Sequence, residues 1–126
     1  MQSKDLLQLA EQYGSPLYVY DAAKIQSQYN RLSKAFSKVN KLRINYAMKA
    51  LSNVAILQLL QEMGSGLDTV SIQEVMLGLH AGYEPDRIFY TPNGVSLEEI
   101  EEVNAMGVQI NIDNLSILEQ FGTKYP

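Results

Sequence analysis

The sequence predicts a parallel α/β fold of about four βα units, and three observations predict it. Short apolar runs of strand character begin near residues 42, 67, 87 and 108. These intervals of roughly 20 to 25 residues are what a strand, a helix and two short loops require. Each run is followed by apolar residues at helical spacing, with a glycine at or near the end of each helical stretch. The first run, Leu42 to Lys49, alternates: Leu42, Ile44, Tyr46 and Met48 fall on one face, and Arg43, Asn45, Ala47 and Lys49 on the other. A face reading charged, polar, small, charged suits a barrel lumen or cleft better than a packed wall, because an unpaired buried ammonium is strongly disfavoured.

The elements follow in order. Ser3 is placed to cap a short helix carrying Leu6, Leu7 and Ala10, stopped by Gly14, and Pro16 starts an extended run from Leu17 to Tyr20. Asp21 is the next N-cap, followed by Ile25, Tyr29, Leu32 and Phe36, the apolar stripe of a helix that docks on a sheet. The strand Leu42 to Met48 leads to a helix of Val54, Ile56, Leu57, Leu60 and Met63 closed by Gly64. The strand Leu67 to Val70 leads to a helix of Val75, Met76 and Leu79 closed near Gly82. The strand Arg87 to Tyr90 leads through the turn Thr91-Pro92-Asn93-Gly94 to a helix of Leu97, Ile100 and Val103 closed by Gly107. The strand Val108 to Ile112 leads to Leu115, Leu118 and Phe121, with Gly122 after them. Ser71 with Glu74 and Ser96 with Glu99 have capping-box form, in which hydroxyl and carboxylate satisfy orphaned backbone donors reciprocally.

A closed eight-unit barrel takes about 250 residues. The 126 residues here supply about half of one, so as a barrel the chain is expected to be incomplete. Residues 1–40 would form the leading helix, strand and helix, and 41–126 the first four βα units. Four parallel strands can also form an open sheet; a barrel left at half leaves two edge strands and a lumen face open to water.

An apolar fraction of 46% is ordinary for a globular domain. The net charge of -4 and scattered basic residues argue against a nucleic-acid partner. With no cysteine, neither a disulfide nor a thiolate metal site can form. The opening residues lack the apolar core of a signal peptide, and no run approaches the roughly 18 apolar residues of a membrane span. The expectation is a cytoplasmic protein with a small-molecule or protein partner and no membrane association.

Catalytic residues of α/β proteins collect at the carboxyl ends of the strands. There the sequence offers Lys49, Asp68, Ser71, Asn93, Asp113 and Asn114. Lys49 is a candidate nucleophile, although a solvated lysine at a strand end satisfies the pattern equally. Asp68 needs a cationic or hydrogen-bonding partner if buried, and Lys49 on the neighbouring strand could supply it; an exposed carboxylate after Gly66 is the alternative. Glu74 and Glu99 read first as caps, and Asp113 with Asn114 as an N-cap pair. His80, the only histidine, has no second histidine with which to bind a metal. Gly64-Ser65-Gly66 precedes a strand instead of following one, so it is not a dinucleotide-binding turn, and neither a phosphate loop of Walker type nor a nucleophile elbow occurs.

Several segments together resemble the amino-terminal part of diaminopimelate decarboxylases, within the pyridoxal-phosphate enzymes built on an alanine-racemase-like barrel. They are YGSPLYVYD at 13–21, INYAMKA at 44–50, GSGLDTVSIQEV at 64–75, RIFYTPNGVSLEEI and VQINIDNLSILEQF. The resemblance spans Tyr13 to about Phe121. One departure is local: the family's lysine motif continues with Ala-Asn, whereas here Ala50 is followed by Leu51, with Asn53 nearby.

The resemblance implies a TIM-type barrel and pyridoxal 5'-phosphate as cofactor, bonded to Lys49, with Ala47 against it on the same strand face and Asp68 as a charge partner of lysine or cofactor. An amine withdrawn from water is neutral more of the time and attacks an aldehyde more readily. The implied reaction is decarboxylation of meso-2,6-diaminopimelate to L-lysine by a full-length homodimer. The phosphate-binding turn, the acid facing the pyridine nitrogen, the stacking histidine and the partner subunit's cysteine lie beyond this region, so the 126 residues alone are expected to be inert. Ornithine, arginine or carboxynorspermidine decarboxylases and amino-acid racemases share the barrel, and a non-catalytic pyridoxal-phosphate-binding protein is the alternative from another class.

Overall fold

A computed structural model describes residues 2–126. The chain divides into two compact units, one ending at Lys38 and one spanning Val39–Pro126.

The first unit holds α1 (Ser3–Tyr13) and α2 (Ala22–Ala35). Gln2, not Ser3, is the N-cap of α1: its backbone N–H donates to the Asp5 carboxylate at 2.8 Å, so the acid three residues on closes the turn. Gly14 at φ 85 ends the helix. Residues 17–20 form no strand, for no ladder partner meets their backbone. Asp21 caps α2 as its position predicts, accepting from the Lys24 N–H at 3.0 Å.

The second unit is a four-stranded parallel sheet in the order β1 (Asn45–Ala47), β2 (Gly66–Thr69), β3 (Ile88–Tyr90), β4 (Gln109–Ile110). Each strand is followed by a helix: α3 (Val54–Glu62), α4 (Ile72–His80), α5 (Leu97–Ala105) and α6 (Leu115–Lys124). Four βα units therefore stand where the periodicity puts them, with shorter strands than the apolar runs suggested. The chain leaves β1 at Met48 by a 3-10 turn, Met48–Ala50. Gly122 does not stop α6, which runs on to Lys124; Thr123 donates to the Glu119 carbonyl at 2.8 Å within that last turn.

The core lies on one side of the sheet. Leu67, Ile88 and Tyr90 from the strands pack with Leu57, Val75, Ile100 and Val103 from α3, α4 and α5, all 0–1% exposed. Burying each such aliphatic side chain contributes about 1.5–3 kcal/mol. Helix α4 reaches the sheet closely because of Gly78: a Cβ there would lie 2.7 Å from Leu67 Cδ1 and 3.2 Å from Ile88 Cδ1. The opposite face of the sheet carries no helix of this unit, and that face bears the candidate site.

Candidate active site

Residues opposite one another in a parallel ladder point to the same side. Ala47 pairs with Asp68, Asp68 with Phe89, and Phe89 with Gln109, so these four form one row across the sheet. Leu67 and Ile88 face α4, which assigns the row to the face away from the helices. Gly66 belongs to the same side: a Cβ on it would meet Asn45 Oδ1 at 2.2 Å and Arg43 Nε at 3.0 Å.

The amino ends of the strands are closed on this face by Arg43. Its guanidinium donates to Asn45 Oδ1 at 3.1 Å, to Gln109 Oε1 at 3.3 Å and to the Asp86 carbonyl at 2.6 Å, and lies 5.4 Å from the centre of the Phe89 ring. One side chain thus links the segment before β1 to β4, three strands away. Such a link requires the sheet to curve toward this face, as the wall of a barrel does.

The carboxyl ends carry Lys49, Asp68 and Thr91. Lys49 sits in the 3-10 turn that follows β1 and is exposed, and its amine has neither a hydrogen bond nor an ion pair among the described residues. Both flanks of that turn are anchored. Met48 is fully buried, the Leu51 N–H donates to the Met48 carbonyl at 3.1 Å, and the Tyr46 hydroxyl donates to the Leu51 carbonyl at 3.1 Å. Asn53 then caps α3, accepting from the N–H groups of Ala55 and Ile56 at 3.0 and 3.3 Å. Asn53, close to the lysine, is thereby used as a helix cap.

The half-buried carboxylate of Asp68 accepts from Thr91 Oγ1 at 2.6 Å, not from Lys49. The register explains the difference. Ala47 stands opposite Asp68, so Lys49 lies two residues further along, where the backbone has already turned out of the strand.

The other polar residues named from the sequence separate from this group. Ser71 caps α4 through the Glu74 N–H at 3.3 Å, while Glu74 accepts from the Val70 N–H at 2.8 Å, one residue outside the box form. Ser96 caps α5 through the Glu99 N–H at 3.3 Å. The Glu99 side chain does not complete the second box; it accepts from the Tyr90 hydroxyl beneath the helix. Burial, and then the neighbouring Glu99 carboxylate, hold the Tyr90 phenol well above the usual tyrosine range. Asn114 caps α6 through the N–H groups of Ser116 and Ile117. His80 is exposed at the last position of α4, and Asn93 and Asp113 are exposed in loops. No group of three metal-binding side chains occurs among the described residues, and no helix among them is long and apolar enough to cross a membrane.

Sequence reasoning passed over Thr91, reading it only as part of a turn, and gave Arg43 no partner. The signal for Thr91 was Pro92, which keeps the residue before it extended and so continues the strand's alternation by one more position.

The donor set fits the aldehyde end of pyridoxal phosphate: an exposed primary amine that forms no ion pair among the described residues, two residues along the chain from the small Ala47, with the Asp68 carboxylate on the neighbouring strand. Among the described residues no arginine cluster or glycine-rich turn at the carboxyl ends offers itself to the phosphate; Arg43 is committed at the opposite end.

The family model described as pyridoxal-dependent decarboxylase, pyridoxal binding domain, matches residues 22–126. The diaminopimelate decarboxylase of Methanothermobacter thermautotrophicus is 44% identical over 115 residues, which are 90% of this chain and 27% of that protein. A crystal structure of diaminopimelate decarboxylase from M. jannaschii in complex with L-lysine superposes with a TM-score of 0.84 at 29% identity, over 94% of this chain and 30% of that one. The lysine/ornithine decarboxylase of Vibrio vulnificus, complexed with putrescine, reaches 0.85 at 27% identity, over 96% and 33%. The chain therefore spans about a quarter to a third of the length of the relatives it matches.

Proposed function

This chain belongs to the pyridoxal-dependent decarboxylase family, and from that premise we propose that it is the amino-terminal part of a decarboxylase that converts meso-2,6-diaminopimelate to L-lysine. The observation that carries the reading is the amine of Lys49, exposed in the turn that follows β1 and without a hydrogen bond or ion pair among the described residues. The substrate rests on similarity to diaminopimelate decarboxylases at up to 44% identity. The homodimer and cytoplasmic location implied by the resemblance belong to the same proposal.

Lys49 would hold the cofactor through its Nζ, with Ala47 leaving room beside it and Asp68 supplying negative charge one strand away. When bound, pyridoxal phosphate supplies an electron sink for the pair left behind as a carboxylate departs as carbon dioxide. The chain's own contribution is to present the amine. Buried Met48, the Tyr46 hydroxyl and the Asn53 cap fix the backbone of the turn that carries it, so only the lysine side chain itself is left to be ordered. A free Lys49 amine would also be able to carry a proton.

Carbon dioxide release by the full-length protein, measured with meso-diaminopimelate, ornithine, arginine and lysine in parallel, tests the proposal. Release from meso-diaminopimelate, lost in Lys49→Ala, is the expected result. Preference for another amino acid would reassign the substrate, and cofactor binding without release from any of them would make the protein a carrier.

A further inference from the structure

We propose that Thr91 is a positioning residue for this site: its hydroxyl holds the Asp68 carboxylate in the orientation that faces a cofactor on Lys49. The inference rests on the reading of Lys49 and Asp68 given above and adds a residue to it.

The geometry is specific. Thr91 Oγ1 lies 2.6 Å from Asp68 Oδ1 and 3.4 Å from the Thr69 carbonyl. A hydroxyl has one hydrogen to donate, and the shorter contact to a carboxylate is the charge-assisted bond that wins it. Both backbones are fixed. Asp68 is paired with Ala47 on one side and Phe89 on the other, which leaves only its side-chain torsions free. Thr91 extends the ladder past β3, its N–H donating to the Thr69 carbonyl at 2.8 Å. Buried Pro92 then confines Thr91 to an extended conformation, and β-branching restricts its χ1. Alternation carries Thr91 to the same face as Phe89, and therefore as Asp68. No ion pair holds the Asp68 carboxylate among the described residues. Without Thr91, that carboxylate could rotate between the open face and the space above Phe89.

The test uses the full-length protein stripped of cofactor, with Thr91→Val, Thr91→Ser, Asp68→Asn, the double variant Thr91→Val/Asp68→Asn, and Lys49→Ala. Crystal structures of the cofactor-free wild type and Thr91→Val are the first readout. The Asp68 carboxylate is expected to leave its wild-type position in Thr91→Val; an unmoved carboxylate overturns the proposal. The second readout is affinity for pyridoxal phosphate. Loss of a hydrogen bond to a charged group is expected to weaken it about tenfold in Thr91→Val. Thr91→Ser is expected to restore it, and Thr91→Val to add no further loss in the Asp68→Asn background. Equal affinity in wild type and Thr91→Val, losses that simply add in the double variant, or failure of serine to rescue would each overturn the positioning role. Wild-type affinity in Lys49→Ala would instead overturn the underlying reading of Lys49, so the two failures are told apart.

Discussion

Replacing Gly66 with alanine tests the account of the open face, and the sign of its effect separates two views of the site. Were the space above Gly66 empty, alanine would stabilise the strand by about 0.5–1 kcal/mol, because glycine loses more conformational freedom on folding. The structure gives the opposite sign. The new Cβ would lie 2.2 Å from Asn45 Oδ1, 2.9 Å from the Arg87 carbonyl oxygen and 3.0 Å from Arg43 Nε. Asn45 can swing away only by giving up its bond from Arg43, and the Arg87 carbonyl is backbone leading directly into β3. Overpacking costs about 1–3 kcal/mol, and with a backbone oxygen among the atoms met the cost lies in the upper part of that range, about 2–3 kcal/mol, so the net loss for Gly66→Ala is about 1–2.5 kcal/mol. Urea unfolding followed by far-ultraviolet circular dichroism should place Gly66→Ala clearly below wild type. A Gly66→Ala protein as stable as wild type would refute the placement of Arg43 and Asn45 over β2.

Further outcomes follow from other parts of the structure. Asn53→Ala removes the α3 cap beside the lysine turn and should cost about 1 kcal/mol, with Asn53→Asp retaining most of it, as read from thermal unfolding. Tyr90 is buried with its hydroxyl on Glu99, and its raised pKa means that the folded state keeps a proton the unfolded state gives up at about pH 10. Its contribution is therefore complete below about pH 10 and is lost as pH rises above that value. Tyr90→Phe should be less stable near neutrality but lose less of its stability between about pH 9 and 12, measured by urea unfolding at fixed pH. The 126-residue chain alone should release no carbon dioxide from meso-diaminopimelate, because the groups that would bind the cofactor phosphate are not on its open face; steady release would contradict that.

Much of this fold is legible in the sequence because helices declare themselves locally. The stripes of Leu57 and Leu60, of Val75, and of Ile100 and Val103 put α3, α4 and α5 where their residues are now buried, and Asp21, Ser71, Ser96 and Asn114 cap as their side chains predict. Strand ends were harder. Apolar runs continue past the last ladder bond, so the run to Met48 stops at Ala47 and the run to Ile112 stops at Ile110. Gly64, Gly82 and Gly107 take up positive φ just past their helices, whereas Gly122 lies within α6. A shared face for Asn45 and Ala47 could be anticipated from alternation, but not the place of Lys49, which lies past the strand in the 3-10 turn. What closes that face could not: Arg43 meets Gln109 across 66 residues and Thr91 meets Asp68 across 23, and pattern within one segment carries no information about such pairs. Glu99 shows the same limit, since a local box predicts its cap but not the Tyr90 hydroxyl that takes its carboxylate.

The most direct test of the central claim is to treat the full-length protein with pyridoxal phosphate, reduce it with borohydride and locate the modified lysine by peptide mass spectrometry. The account predicts a reduced pyridoxyl group on Lys49 and none retained in Lys49→Ala. Modification confined to another lysine, with Lys49 untouched, would contradict it.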